Sequence, residues 1–162
     1  MSRRGINLLR KIAIPLKRDN SNPIAGFAKV MTITANTTLT QADSGKIIMC
    51  NPTATTLITL PSLEPGWHCT VILTEDATGL DAGMDQKVNI DMGSGANLAN
   101  CGSILEADGA AGDHCVADDD FIACSAAASP GDRFDFFCDG NRWHILGVVK
   151  DATECAFAQG AG

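Results

Sequence analysis

From Val30 onward, apolar and polar residues alternate in short runs, with no convincing stretch of helical periodicity. Successive side chains of a β-strand point to opposite faces, so a period of two predicts strands with one buried face. The clearest run covers residues 67–74 and places four side chains on one side: Trp67, Cys69, Val71 and Leu73. Such runs recur about every ten residues, with turn residues between them. The pattern predicts an all-β fold, as a small antiparallel sandwich, jelly roll or barrel.

Glycine, proline, asparagine and aspartate mark where these strands end. Residues 43–45 (Asp-Ser-Gly) read as one turn and residues 129–132 (Ser-Pro-Gly-Asp) as another. Residues 139–141 (Asp-Gly-Asn) are typical of a tight β-hairpin, because Gly and Asn tolerate positive φ. The hairpin should lead into a strand at residues 143–149. We expect a loop at residues 107–120, which are rich in Gly, Ala and Asp.

The chain length favours one domain, since 162 residues are enough to bury a hydrophobic core. We expect a basic N-terminal arm at residues 1–28, an all-β body at residues 29–150 and a small-residue tail at residues 151–162. Apolar residues of the arm recur at steps of three and four, namely Ile6, Leu9, Ala13 and Leu16. This spacing predicts a short helix that ends near Pro15, and the alternative is an extended arm.

Charge divides the chain into two opposite parts. The first 30 residues contain seven Lys and Arg against one acid, a net charge of +6. The remainder contains five basic residues against eighteen acids, a net charge of −13, and the two parts sum to −7. A basic arm is typical of a segment that binds nucleic acid, a membrane surface or acidic protein, and the alternative is a solvated tail. Because an acidic body repels a polyanion, we expect the arm to dock on acidic or polar surface of neighbouring subunits rather than on nucleic acid.

Ten residues of the arm are the candidate partner-binding residues. They are Arg3, Arg4, Ile6, Leu9, Arg10, Lys11, Ile12, Leu16, Lys17 and Arg18. An exposed ion pair contributes about 0–1 kcal/mol, whereas a fully buried aliphatic side chain contributes about 1.5–3 kcal/mol. We therefore expect the aliphatic side chains to supply most of the affinity and the basic ones to set the register of the contact.

Membrane integration and secretion are not indicated. No apolar run approaches the roughly 20 residues that a membrane-spanning helix needs. The basic N-terminus begins like a targeting peptide, but charged residues interrupt its apolar stretch and no small-residue cleavage site follows. We expect no membrane partner and no cleaved signal.

The seven cysteines are an odd number, and no two of them lie closer than nine residues apart. Zinc and redox motifs use closely spaced cysteine pairs, so neither is indicated. Cys69, Cys124 and Cys138 lie in strand-like apolar runs, where a thiol behaves as a small hydrophobic group. We predict reduced, buried thiols rather than a disulfide framework.

Other residues that often act at functional sites have mainly structural interpretations here. Trp67 and Trp143 each follow a turn and open a strand, so we expect them to cap the core rather than to stack on a ligand. His68 and His144 come next and should point to the opposite face, where a subunit contact can form. Residues 118–120 (Asp-Asp-Asp) offer oxygens for calcium with help from a neighbouring subunit, but a solvated acidic turn is favoured. We expect no metal and no cofactor.

No sequence motif indicates catalysis. Residues 93–95 (Gly-Ser-Gly) do not match the Gly-x-Ser-x-Gly nucleophile motif, and no phosphate-binding loop occurs. We expect a non-enzymatic protein, although acids and histidines that converge in space would escape a search by motif.

The order of several turn and strand motifs resembles the β-rich repeat domain of tailed-bacteriophage fibre, spike and capsid-decoration proteins. The resemblance covers residues 34–147. Its motifs are Thr37-Thr38-Leu39-Thr40, Asp43-Ser44-Gly45-Lys46, Leu60-Pro61, Gly66-Trp67, Val88-Asn89-Ile90, Gly131-Asp132 and Asp139-Gly140-Asn141-Arg142-Trp143-His144.

This resemblance implies a virion structural protein that acts by binding and forms a homotrimer. Three-fold closure would also cover the exposed edges of many short strands. The chain lacks the coiled-coil or triple-β shaft of a fibre, so a capsid decoration or cement subunit fits better than the alternative, a fibre, spike or carbohydrate-binding knob. Its expected partners are further copies of itself and the major capsid protein. Its expected location is the capsid surface, after synthesis in the host cytoplasm.

Overall fold

The structure, a computed structural model, describes residues 29–74, 86–93, 102–107, 109, 111–116 and 119–159. The arm at residues 1–28, with its ten candidate binding residues, lies outside the described residues. The described residues form twelve strands: β1 (Lys29–Ile33), β2 (Thr37–Thr38), β3 (Lys46–Cys50), β4 (Thr56–Thr59), β5 (His68–Leu73), β6 (Val88–Asp91), β7 (Gly102–Glu106), β8 (Asp113–His114), β9 (Phe121–Cys124), β10 (Arg133–Cys138), β11 (Trp143–Val149) and β12 (Cys155–Ala158). The expected all-β fold is confirmed.

The strands belong to two sheets. The seven-stranded sheet has the order β1-β3-β5-β10-β11-β7-β8, and the five-stranded sheet has the order β12-β9-β6-β4-β2. The helical content of the described residues is a single 3₁₀ turn at Gln41–Asp43. None of these residues belongs to a helix with the length and apolar character of a membrane span.

The first six strands pass alternately from one sheet to the other. β1, β3 and β5 are parallel neighbours in the seven-stranded sheet, and β2, β4 and β6 are parallel neighbours in the five-stranded sheet. Parallel neighbours cannot be joined by a tight hairpin and need a longer crossover, which here runs through a strand of the opposite sheet. The prediction of antiparallel sheets is therefore wrong, because both sheets are mixed.

The expected hairpin joins β10 and β11, which pair antiparallel. At its tip Asp139 Oδ1 accepts the backbone N–H groups of Asn141 (2.7 Å) and Arg142 (2.9 Å). Gly140 adopts a φ of 96°, which a residue with a side chain rarely tolerates. The prediction from residues 139–141 is confirmed, and the aspartate fixes the turn by satisfying its backbone donors.

One hydrophobic core contains buried residues from both sheets. In the seven-stranded sheet, one ladder of register partners is Ile33, Cys50 and Leu73. In the five-stranded sheet, a corresponding ladder is Ile58, Ile90 and Ile122. The two sheets also approach at Gly102 of β7, where a Cβ atom would lie 2.7 Å from Cζ of Phe157 on β12. The core therefore depends on close contact between strands of different sheets.

Two strands lie where we expected irregular structure. β8 falls within the loop predicted at residues 107–120, and β12 falls within the tail predicted at residues 151–162. β12 pairs with β9 and buries Cys155 and Phe157, so this part of the expected tail belongs to the core of the body.

Candidate functional site

The large apolar side chains that remain exposed gather on the seven-stranded sheet. Among the described residues they are Val30, Leu105, Val116, Phe137, Leu146 and Val148. All except Val116 lie on strands of this sheet, at positions that alternate with core residues. We call the side of the seven-stranded sheet that points away from the core its outer face. Large apolar side chains that are grouped on one exposed face mark an interaction surface more often than singly scattered ones do.

Strand register brings these side chains together on one side of β10. Leu146 lies beside Ser103 of β7, and Val148 lies beside Leu105. Leu146 and Val148 are 46% and 43% exposed, although both lie within a seven-residue strand that has a neighbour on each side. We call Leu105, Leu146 and Val148 the β11 half of the outer face.

A second apolar group lies on the other side of β10. Ile47 and Met49 of β3 and Ile72 of β5 are half-buried and point outward, and Val30 of β1 continues the group to the sheet edge. Val30 is the register partner of Ile47, and Met49 is the register partner of Ile72. We call these four residues the β3 half of the outer face.

The strand between the two halves carries an ion pair. Arg133 Nη2 lies 2.8 Å from Asp135 Oδ2, and Arg133 Nε donates to Asp135 Oδ1 at 3.1 Å. Thr70 Oγ1 of β5 also donates to Asp135 Oδ1, at 2.6 Å. Each charge thus has a partner on the same face, so the middle of the outer face is polar but carries no net charge.

One end of the outer face is aromatic and imidazole-rich. Phe137 of β10 lies between its register partners His68 of β5 and His144 of β11, and its ring centroid lies 6.1 Å from that of His144. His144 Nε2 lies 2.9 Å from Asp139 Oδ2. The hydrogen bond with His144, followed by those from the backbone N–H groups of Asn141 and Arg142, lowers the pKa of Asp139 to about 2. A shallow groove of about 290 Å³ runs along Phe137 and His144 beside Leu146.

The tryptophans and histidines singled out in the sequence lie where they were predicted. Trp67 and Trp143 are buried in the core, and His68 and His144 are exposed on the opposite face. Of the acidic run at residues 118–120, Asp119 is buried and accepts the backbone N–H of Val116 at 2.8 Å. Asp118 lies outside the described residues, so the calcium alternative stays untested.

The cysteines that the structure describes are core residues. All six within the described part of the chain are buried, and none of the six is in a disulfide. Burial raises the pKa of Cys50 and of Cys69 to about 12. The hydrogen bond with Cys124, followed by burial, raises the pKa of Cys155. Cys50, Cys69 and Cys155 are therefore protonated at neutral pH, and all six buried thiols behave as small apolar groups.

The outer face offers exposed apolar side chains against which another macromolecule can pack. Over the described ranges, no group of three or more His, Cys, Asp or Glu is placed to hold a metal ion.

The outer face was not predicted from the sequence, although residues 143–149 contained a signal for it. Apolar residues occupy both odd and even positions of this run. If the odd-numbered residues such as Ile145 are buried, the even-numbered Leu146 and Val148 must point to the outer face.

Comparison with known protein families and with curated proteins finds no match to this chain. The class that the fold defines is an all-β protein of two mixed sheets.

Proposed function

We propose that this protein is a virion structural subunit of a tailed bacteriophage, a capsid decoration or cement protein that acts by binding. The observation that carries the proposal is the outer face, where the seven-stranded sheet exposes a band of apolar side chains around a neutral centre. A face of this kind fits a role in assembly. The resemblance of residues 34–147 to phage decoration and fibre domains suggests that this assembly is a phage particle.

We further propose that the two sheets pack face to face as a sandwich, and that the body forms a homotrimer at the capsid surface. Two contacts support the sandwich. Trp143 of β11 donates from Nε1 to the carbonyl of Met92, directly after β6, at 3.2 Å. Gly102 of β7 and Phe157 of β12 meet closely from different sheets. The edge strands β1, β8, β2 and β12 favour closure by neighbouring copies.

In this proposal the arm at residues 1–28 anchors the subunit to the major capsid protein. The net charge of +6 in the first 30 residues, against −13 in the remainder, supports docking on acidic protein surface. Aliphatic residues such as Ile6, Leu9 and Ile12 would supply most of the affinity, since exposed ion pairs are screened within about 8 Å at physiological ionic strength. The basic residues would set the register.

Binding to purified capsids that lack the protein tests the anchor. Wild type, a deletion of residues 2–28, and the pair Ile6→Ser/Leu9→Ser would be mixed with capsids and sedimented. We expect the deletion and the double variant to lose attachment, with body folding unchanged by circular dichroism. The matched control, Arg3→Ala/Arg4→Ala, should keep more of the attachment. Salt at about 1 M, where screening acts within about 3 Å, should weaken wild-type attachment only in part. Full occupancy by the deletion variant would contradict the anchoring role.

The groove beside Phe137 favours a second candidate function, a receptor- or carbohydrate-binding knob of a fibre or spike. An exposed aromatic ring next to Asp135 and His144 offers a sugar both a stacking surface and hydrogen-bond partners. A glycan array with wild type and Phe137→Ala discriminates the two functions. Specific glycan binding that Phe137→Ala abolishes, without attachment to capsids, would favour the knob.

A further inference from the structure

We infer that the outer face of the seven-stranded sheet is the contact between copies of this chain. The inference rests on the self-assembly in the proposed function and goes beyond it by naming the surface. The β11 half (Leu105, Leu146 and Val148) and the β3 half (Val30, Ile47, Met49 and Ile72) flank the Arg133–Asp135 ion pair. Apolar side chains on both sides of a satisfied polar centre match the anatomy of an interface between subunits.

Charge argues for a second copy as the occupant. The chain beyond residue 30 has a net charge of −13, so two copies repel each other wherever acids are unpaired. Within the described strands of the seven-stranded sheet, the Lys, Arg, Asp and Glu side chains on the outer face are Arg133 and Asp135, which neutralise each other. An acidic body can therefore approach its own copy at this face without facing uncompensated like charge.

The same neutrality argues against the basic arm as the occupant. The carboxylate of Asp135 already accepts hydrogen bonds from Arg133 and from Thr70. The carboxylate of Asp139 at the neighbouring hairpin is bonded to His144 and to two backbone N–H groups. A cationic segment would have to compete with these partners, whereas an apolar face of another copy would not.

The size of the face also fits a self-contact. The seven strands are spaced about 4.8 Å apart and span about 30 Å, and all of them except the two-residue β8 have five to seven residues and extend for about 20 Å. The flat footprint is therefore at most about 600 Å², and the accessible surface of the side chains is larger. A standard stable interface buries about 800 Å² on each partner. The face is large enough for a stable contact if most of it is covered.

Sedimentation velocity and native mass spectrometry of the full chain test the inference. The variant Leu146→Asp places a charge beside its register partner Asp135, and Leu105→Asp places one on β7, both in the β11 half. The matched control is Ala123→Asp, which puts the same charge at an exposed position of β9 in the five-stranded sheet. Burying an unpaired carboxylate in an interface should raise the dissociation constant at least about 100-fold. Leu146→Ser serves as the milder variant if Leu146→Asp does not fold, with circular dichroism and thermal melting as the folding check.

We expect wild type and Ala123→Asp to assemble at micromolar concentration, while folded Leu146→Asp and Leu105→Asp are monomers. A monomeric wild type overturns the inference, as does assembly of both outer-face variants with the wild-type dissociation constant. A wild-type dimer that Leu146→Asp dissociates supports this surface and overturns the homotrimer. Attachment of wild type to capsids is measured separately, so a failure of the capsid role does not depend on this result.

Discussion

Trp67 and Trp143 meet edge to face in the core, with ring centroids 5.2 Å apart and ring planes inclined by 81°. Trp67 directly precedes β5, and Trp143 opens β11 of the same sheet. Their indole N–H groups donate to carbonyls of the chain that flanks strands of the five-stranded sheet, at Thr40 (3.1 Å) and Met92 (3.2 Å). The pair thus joins aromatic packing to hydrogen bonds that link the two sheets.

Replacing Trp143 with Phe should lower the free energy of unfolding by about 1–3 kcal/mol, because the buried carbonyl of Met92 loses its donor. Trp143→Ala should cost about 3–5 kcal/mol through loss of packing as well. Urea unfolding followed by circular dichroism measures both values. Phe137→Ala, which truncates an exposed ring outside the core, is the control and should cost less than Trp143→Ala. An unchanged midpoint for Trp143→Phe would show that the hydrogen bond is not significant.

A buried carboxylate stabilises the turn next to Trp67. Asp43 Oδ2 accepts the backbone N–H and the hydroxyl of Thr40, both at 2.7 Å, and Asp43 Oδ1 lies 2.5 Å from Lys46 Nζ. Burial opposes ionisation, but the hydrogen bonds from Lys46 and Thr40 prevail and lower the pKa of Asp43 below its ordinary value of 3.8. The carbonyl of Thr40 is the acceptor for Trp67, so the carboxylate also helps to position the indole contact.

Asp43→Asn should therefore lower the free energy of unfolding by about 1–2 kcal/mol at pH 7. Because the pKa of Asp43 is lowered in the folded state, its contribution is present above the ordinary value and is lost as the pH falls through the folded pKa. The difference between wild type and variant should thus shrink from pH 7 to pH 2. Urea titrations at several pH values measure it. Glu64→Gln removes the same charge at an exposed site, and an equal effect of that control would contradict the role of Asp43.

The sequence predicts where most strands lie and which side of each is buried. The period-two spacing of Phe134, Phe136 and Cys138 is a local property, and β10 buries these three residues. Sheet topology is not local. Residues 43–45 have the composition of a hairpin turn, yet they carry the chain from the five-stranded sheet into β3 of the other sheet. A period of two specifies a face but not a partner strand, which is why parallel pairing was missed.

The two missed strands show a second limit of sequence patterns. In β12 the outward positions are Ala156 and Ala158, so the contrast between buried and exposed residues is too weak to read as alternation. β8 has only two residues. Of the two candidate binding surfaces, one could be identified from the sequence and the other could not. The arm was identified from charge, while the outer face depends on Leu146, Val148 and Leu105 becoming neighbours through strand pairing.

A buried glycine limits the size of residue 147 in the middle of β11. A Cβ atom on Gly147 would lie 2.9 Å from Cγ1 of Ile104 and 3.0 Å from Cδ1 of Phe134. Gly147→Ala should therefore lower the free energy of unfolding by about 1–3 kcal/mol through overpacking, and Gly147→Val by more. Chemical denaturation measures both. Ala123→Val enlarges an exposed strand position and should have little effect. Stabilisation by Gly147→Ala would mean that Ile104 and Phe134 can move apart without cost.

Burial should protect the thiols of the native protein from reagents. With a pKa of about 12, Cys50 and Cys69 are thiolates in only about one molecule in ten thousand at pH 8, and both are buried. Because all six described thiols are buried, they should react slowly with Ellman's reagent in the native protein, and all seven thiols of the chain should react at once in urea. Because we expect no disulfide, a reducing agent should leave the thermal midpoint unchanged. Mass spectrometry of the unreduced, denatured protein gives the independent check. A mass two hydrogens below that of the reduced chain would contradict the prediction. The first pair to test for a disulfide would then be Cys124 and Cys155, which are register partners on β9 and β12.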